Sequence, residues 1–524
     1  MNKRVGMVIA ALVAVVLVVV LAVPYYMGYK AEQSLQDQQS ILAKTSFLTV
    51  KQHTYERGWF SSTETTVVQF NPSFLASVQQ QLPDNVKKVL QQPITLVNHV
   101  RHGLFAGSLR PVRAQVDTEF RFTPEVQQIL MRFFGQQQPV SMHNTIFLSG
   151  SGQINVVVPK FNYEELSGIK LLWQGLQTQV DYASGYHEYD THTTNPGLTL
   201  VLADKGQIAY EGLTIDTHTQ EGQTELALGN SKLNLKSFSV QWNDALSYDV
   251  RLNDLINLVT NLQIGAFINP TGSVPPSKIV LHDLSFGTEM QEQGEWINSR
   301  GNFGFAKLIY GKETYGPLSI EASAEHLQAK SLLALKNKLT QLTTQKLSND
   351  ALQAAIIQAA KTEGLGLFTH DPVLKLNTFR FQMPDGLVDV HGQMAFKGLT
   401  AADMQQLNTM LAKTDAQFEF AVPQKLLEGF AISQARNLFT VDPSVGGPEA
   451  LADIDETIRL MVDSTIRTMA QDGYVRVNKG VVQSQVTLSR NQLTLNGKKF
   501  VNEPEPDYWD NSASAPNAAS TAQP

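Results

Sequence analysis

Leu233-Asn-Leu235-Lys-Ser-Phe238-Ser-Val240 carries apolar side chains at i, i+2, i+5 and i+7. In a strand successive side chains alternate between faces, so positions two apart share a face and positions three apart do not. One slipped residue between Leu235 and Phe238 returns the second pair to the face of the first, which is what a β-bulge produces. The spacing recurs at Val156/Val158/Phe161/Tyr163, Ile208/Tyr210/Leu213/Ile215 and Ile279/Leu281/Leu284/Phe286, then at Phe303/Phe305/Leu308/Tyr310 and Leu374/Leu376/Phe379/Phe381. Apolar residues fill 42% of positions, so some matches arise by chance in ordinary β-structure. Several starts nevertheless lie about 24 or 48 residues apart, near the length of one long hairpin. From Met142 to Ile320 apolar and polar residues alternate as half-buried antiparallel strands require. The expected fold is α+β: a large antiparallel meander of bulged strands, with helices inserted in the C-terminal half.

Working outward, Phe47 to Tyr55 and Thr65 to Phe70 read as a hairpin around Arg57-Gly-Trp-Phe-Ser-Ser62, with Gly58 in the turn. Ser73 to Leu90 reads as a helix, followed by a strand over Ile94 to Val100 and a turn at His102-Gly103. Glu325 to Lys361 turns helical, and Val388, Val390, Met394 and Phe396 alternate about Gly392 as a strand pair. Thr400 to Lys413, Gln424 to Leu438 and Glu449 to Gln471 read as three further helices, with Gly473 closing the last. Asp442 to Pro448 is a glycine- and proline-rich loop. A strand pair from Tyr474 to Leu495 ends in the turn Asn496-Gly497. The tail beyond Glu503 is too poor in apolar residues to fold.

Upstream, Val5 to Val23 is an apolar run of 19 residues, preceded by Lys3 and Arg4. As a helix it is about 28 Å long, close to the ~30 Å hydrocarbon core of a bilayer. Thirteen of its residues are Val, Leu or Ile. Positive charge before the span keeps the N-terminus cytoplasmic and sends the rest across. A cleavable signal is the competing reading, but its apolar core is normally about 7–15 residues long. The nearest cleavage site, at Val20-Leu-Ala22, is followed closely by Pro24. Tyr25, Tyr26 and Tyr29 suit the far interface. The expected organisation is therefore a cytoplasmic tip and anchor over 1–27 and a polar stalk helix over 28–46. A β-rich region follows over 47–320, then a mixed region over 321–502 and a disordered tail over 503–524.

Composition excludes several functions. A chain of 524 residues exceeds one compact core. The net charge of −7 is spread rather than blocked, which disfavours nucleic acid. There are no cysteines, so disulfides, thiolate metal sites and cysteine nucleophiles are all excluded. No phosphate-binding loop, zinc-protease helix or nucleophile elbow is present. His187-Glu-Tyr-Asp-Thr-His192 with His218 is the best metal candidate. His187 and His192 differ by an odd number and point to opposite faces of a strand, so exposed polar residues at a hairpin tip are the preferred reading. His99 and His102 fail by the same parity. Asp453 and Glu456 share a helix face, but acids in a first turn are already favoured by the macrodipole. No catalytic residue, cofactor or metal is expected.

At Tyr55-Glu-Arg-Gly-Trp-Phe-Ser-Ser62 the chain resembles the YdgA-like family of Gram-negative envelope proteins. Those carry Tyr-x-x-Arg-Gly-x-Phe-Ser-Ser shortly after an N-terminal span, whereas Tyr55 lies one residue closer to Arg57. His102-Gly-Leu-Phe105 is similar to the family's His-Gly-Pro-Phe, and Pro159-Lys-Phe-Asn-Tyr-Glu164 to its Pro-Leu-Asn-Tyr-Glu. Asp371-Pro-Val373 matches a late Asp-Pro-Val, and Asn491-Gln-Leu-Thr-Leu-Asn-Gly-Lys498 resembles a terminal Gly-Gln-Ile-Thr-Leu-Asn-Gly. The motif residues Tyr55, Arg57, Gly58, Trp59, Phe60, Ser61, Ser62, His102, Gly103, Asn496 and Gly497 read as maintaining hairpin corners. A contact surface at the Arg57–Phe60 turn is the competing reading. The resemblance implies an inner-membrane anchor, a periplasmic domain and no defined activity. The expected function is a non-enzymatic envelope binding or structural component. The alternative is a periplasmic lipid or apolar-ligand carrier with a β-trough. The membrane is the expected partner, and an envelope protein, a lipid or a second copy are the further partner classes left open.

Overall fold

Alternating apolar and polar residues need a partner strand for their backbone groups and a cover for one face, and both requirements shape this chain. The computed structural model describes residues 3–44, 48–71, 75, 84–107, 110–242, 276–343, 345, 347, 349–438 and 448–500. Among the described residues the strands join in a single 24-stranded sheet. β1 (Leu48–Arg57), β2 (Ser61–Phe70), β3 (Ile94–His102), β4 (Val112–Arg121), β5 (Ser141–Phe147) and β6 (Gly152–Val158) pair antiparallel in chain order. β7 (Phe161–Glu164) continues β6, and β8 (Ile169–Trp173) and β9 (Leu176–Tyr182) form the returning arm of the same hairpin. β10 (Glu188–Leu202), β11 (Gly206–Glu221), β12 (Ala227–Trp242) and β13 (Lys278–Gln293) are the long central strands.

Beyond them β14 (Trp296–Phe305) and β15 (Lys307–Tyr310) share β13 as partner, and β16 (Glu313–Tyr315) folds back on β15. β17 (Leu318–Gln328) returns to β14, and β18 (Val373–Met383), β19 (Gly386–Phe396) and β20 (Thr414–Pro423) extend the meander. β21 (Arg476–Asn478) and β20 both pair with β22 (Val481–Ser489), and β23 (Gln492–Leu495) and β24 (Lys498–Lys499) finish the sheet.

The repeated spacing has a physical counterpart. Asn195 pairs with Leu213 and Gly197 with Glu211, which leaves Pro196 and Gly212 opposite each other without a ladder pair. The same gap places Gly212 against Lys236 and Lys236 against Asp283. A lone bulge shifts the register of its strand. Here neighbouring strands slip at the same level, so the register survives and a row of kinks crosses the sheet. Gly212, with φ +66, and Asp283, with φ +54, occupy the left-handed region there. β18 instead carries a true register-shifting bulge between Leu376 and Phe379.

Matched slips put apolar residues side by side. Ile215, Leu233, Phe286, Phe303, Ile320, Phe379, Val390 and Phe420 form one rung across eight strands. Phe161, Trp173, Leu198, Tyr210, Phe238, Leu281, Leu308 and Tyr315 form a second. A core of Ile279, Phe305, Leu308, Leu318, Ile320, Phe381, Val388 and Leu426 gathers residues of this face. The expected bulged meander is therefore present, although two of its copies, at Val156–Tyr163 and Phe303–Tyr310, each span a pair of short strands.

The helices are α1 (Lys3–Lys44), α2 (Asp84–Leu90), α3 (Pro124–Phe134), α4 (Ala329–Thr343), α5 (Asn349–Thr362), α6 (Leu365–Thr369), α7 (Leu407–Ala412), α8 (Gln424–Leu438) and α9 (Pro448–Gln471). α4 and α6 pack on β17, and α8 packs on α9 and β20.

Several expectations need correction. The boundary at 320/321 falls inside β17, which pairs on both sides, so no domain division lies there. The segment 28–46 is no free stalk: Ala31 and Leu35 are buried against Val100, Ala114, Val116 and Ile146. Glu325 to Gln328 extends β17 instead of opening a helix, because these residues find ladder partners in β14 and β18. The alternation about Gly392 belongs to one strand, β19. Thr400–Lys413 holds only the short α7 behind a tight turn at Asp403–Gln405. α3 is a further helix, signalled by Pro at its first position, Glu125 in its first turn and the Val126/Leu130/Phe134 spacing. Much of the expected Ser73–Leu90 helix, most of the Asp442–Pro448 loop and the tail beyond Glu503 lie outside the described residues. Among the described residues no helix is long and apolar enough to cross a membrane. The side chains of Val5–Val19, most of the apolar run, also lie outside them.

Candidate functional site

Nine of the eleven motif residues converge on one place, the flank of α1 between Leu21 and Glu32. The turn between β1 and β2 is closed by the Gly58 N–H donating to the Ser61 carbonyl at 3.0 Å. A Cβ on Gly58 would lie 2.3 Å from that oxygen, so close approach of backbone rather than a positive φ demands glycine. This tight turn aims Arg57 and Trp59 at the helix. Arg57 Nη1 donates to Glu32 Oε2 at 3.1 Å, and its guanidinium lies 5.4 Å from the Tyr25 ring centroid and 5.7 Å from that of Tyr29. Trp59 Nε1 donates to the Leu21 carbonyl at 2.9 Å, with its ring 5.1 Å from Tyr25. Pro24 stands inside the helix three residues after Leu21. It has no N–H and its ring crowds the preceding turn, which disturbs the helix ladder locally.

His102 forms the buried half of the lock. Its Nδ1 lies 2.9 Å from the Pro24 carbonyl and its Nε2 3.0 Å from Ser62 Oγ. A carbonyl only accepts, so Nδ1 carries the proton and Nε2 accepts from the serine hydroxyl. Burial pushes the imidazole pKa below its ordinary value, opposed by the backbone bond at Pro24. Gly28 makes room for the ring, since a Cβ there would stand 2.6 Å from His102 Cε1. A Cβ on Gly103 would lie 3.6 Å from Pro24 Cγ, and the residue holds φ +133. Tyr55 packs on the α1 core, and desolvation raises its phenol to about 12.

Ser62 and His102 have the spacing of a nucleophile and its base. Both are at most 5% exposed, so a substrate has no approach to Oγ, and a carbonyl stands where a triad places a carboxylate. The pair is a clamp. Beside it Glu64 accepts from Asn98 at 2.6 Å, and Asn98 accepts from Thr118 at 2.6 Å, which satisfies a buried polar row under the helix.

Asn496 and Gly497 are not part of this cluster. They form the left-handed turn between β23 and β24, at the far end of the sheet, with φ +49 and +79. The histidines weighed as metal ligands each face a carboxylate: His187 with Glu221 at 2.9 Å, His192 with Asp216 at 2.5 Å and His218 with Asp190 at 2.8 Å. Among the described residues no group of three or more could hold a metal ion. His99 pairs with Glu119 and Glu456 with Arg459. Away from the lock, an apolar cleft of about 250 Å³ lies between α3 and the sheet, lined by Phe70, Leu90, Ile94, Phe122, Val126 and Phe134.

The residues that sequence reading missed are those of the helix: Pro24, Gly28 and Glu32. A glycine and a proline inside a helix were the available signal, since each is costly there unless something requires it.

A model of the family described as "Bacterial protein of unknown function (DUF945)" matches residues 1–503. No curated protein and no solved structure matches the chain.

Proposed function

For a chain that belongs to the DUF945 family of bacterial proteins of unknown function, we propose a YdgA-like envelope role. The apolar run of α1 anchors the protein once in the inner membrane, with the N-terminus cytoplasmic and the sheet in the periplasm. The sheet serves a non-enzymatic binding or structural purpose, and an envelope protein, a lipid or a second copy of the chain is its partner. One observation supports this above the rest. The motif residues of two separate hairpins grip α1 at the end of the apolar run and directly after it, through Trp59, His102 and Arg57. Side chains committed to such a clamp fix a domain on its anchor.

The orientation is tested by fusion at the C-terminus. Alkaline phosphatase placed there is expected to be active, and a fluorescent protein that matures only in the cytoplasm is expected to stay dark. The reverse pattern overturns the reading.

A second reading, carriage of a lipid or another apolar ligand along the sheet, is favoured by the continuous apolar rungs. Phe286, at the centre of one rung, is 38% exposed, so this face retains open apolar surface among the described residues.

A further inference from the structure

We propose that the Gly58–Phe60 turn and the Gly103–Gly107 loop form a β-borne collar seated in the outer interface of the lipid bilayer, around the exit of α1. The proposal rests on the anchor reading and specifies how the domain meets the membrane.

The carrying observation is a level. Trp59 Nε1 donates to the carbonyl of Leu21, and Leu21 precedes the last residue of the apolar run, Val23, by two positions. At about 1.5 Å per residue the indole N–H is fixed about 3 Å inside the end of that run. If Val5–Val23 fills the hydrocarbon layer, the hairpin tip cannot stand clear in bulk water. It sits at the hydrocarbon boundary, where amphipathic indole rings concentrate.

The surface at that level agrees. Trp59 is 51% exposed, Phe60 53% and Phe105 54%, and on the helix Leu21 and Tyr25 are also open. Single exposed apolar residues are ordinary, but these are neighbours. The Trp59 ring lies tilted against Tyr25, the Phe60 carbonyl accepts from the His102 N–H, and a Cβ on Gly103, two residues before Phe105, would touch Pro24. A contiguous apolar patch around a membrane exit is suited to lipid and is wasteful in water.

The collar makes a geometric demand. Because the same hairpin is bonded to the helix by Arg57 and its loop neighbour by His102, the domain is seated on the bilayer rather than swinging from it.

The chain has no cysteine, so single labelled cysteines report cleanly. The full chain is reconstituted in phosphatidylethanolamine–phosphatidylglycerol vesicles with an environment-sensitive NBD label on Ala11→Cys, Phe60→Cys, Phe105→Cys or Ile357→Cys. Ile357 lies exposed on α5, away from the collar. Shallow spin-labelled phospholipid is expected to quench NBD at Phe60→Cys and Phe105→Cys at least about twofold more than at Ile357→Cys. Deeply labelled phospholipid is expected to quench Ala11→Cys. Quenching of Ala11→Cys with both collar labels equal to Ile357→Cys overturns the collar and leaves the anchor standing. No quenching of Ala11→Cys overturns the anchor, and the collar with it. Trp59→Phe keeps an aromatic ring but removes the N–H donor and the indole fluorophore, so loss of brominated-lipid quenching of intrinsic fluorescence in that variant supports Trp59 as the contact without a labelled cysteine. Unchanged quenching overturns that assignment.

Discussion

At the residue scale the chemistry of this protein is concentrated in His102. A neutral imidazole donates to the Pro24 carbonyl through one ring nitrogen and accepts from the Ser62 hydroxyl through the other. Its burial lowers the folded-state pKa relative to the unfolded value. The unfolded chain therefore takes up a proton more readily as pH falls. The stability contributed by this group is whole above about 6.5 and is lost progressively as pH drops below it. In a carbon-13 NMR titration of labelled histidine, His102 is expected to titrate below about 6.5. A value above that means the ring is charged in the fold and the clamp is assigned wrongly. The motif Tyr55–Ser62 and the pair His102-Gly103 were visible in the sequence as a unit worth explaining. That they meet a helix was not visible, because Ser62 and His102 are 40 positions apart and Pro24 lies 78 positions before His102.

At the element scale the informative device is the row of matched kinks. One slipped strand would misregister its neighbours, while strands that slip together keep every apolar rung aligned. Gly212 and Asp283 hold that row in left-handed backbone, and the two should respond oppositely to substitution. Gly212→Val forces a branched side chain into φ +66, with its Cβ 2.9 Å from that of Lys236. It is expected to cost about 1–3 kcal/mol, read from the urea midpoint. Asp283→Gly removes a strained Cβ and is expected to be neutral within about 1 kcal/mol or mildly stabilising. Equal losses in both variants would mean that the kink row does not carry the conformational load. The recurring spacing announced slipped strands, and Gly212 falls in the slip of its own copy. The spacing did not reveal that the slips are level with one another, since level is a relation between strands.

At the scale of the whole molecule the sheet is a continuous meander whose two faces differ in kind. Cross-strand rungs make one face apolar, and the helices α4, α6 and α8 pack at β17 and β20. Carriage of apolar ligand makes a specific demand on the full chain. Purified in mild detergent, it is expected to retain phospholipid detectable by mass spectrometry after exchange into a second detergent. Replacing Leu233, Leu235 and Phe286 together by Ser is expected to lower that retention several-fold, as each change removes about 1.5–3 kcal/mol of apolar burial. Retention equal to that of the anchor segment alone would remove the carrier reading and leave the anchored structural role.

Composition, charge pattern and periodicity by themselves determined the β-rich class, the helices inserted in the C-terminal half and the lack of thiol chemistry, because those properties are local or additive along the chain. The hairpin at Gly58 and the turn at Asn496-Gly497 were legible for the same reason: a few adjacent residues set their backbone angles. Only the tertiary structure decided that α1 is part of the core, that 320/321 is no boundary, and that distant motif residues close on Pro24 and Gly28. Those outcomes depend on which surfaces are brought together, and burial is a property of pairs of segments that no single segment carries.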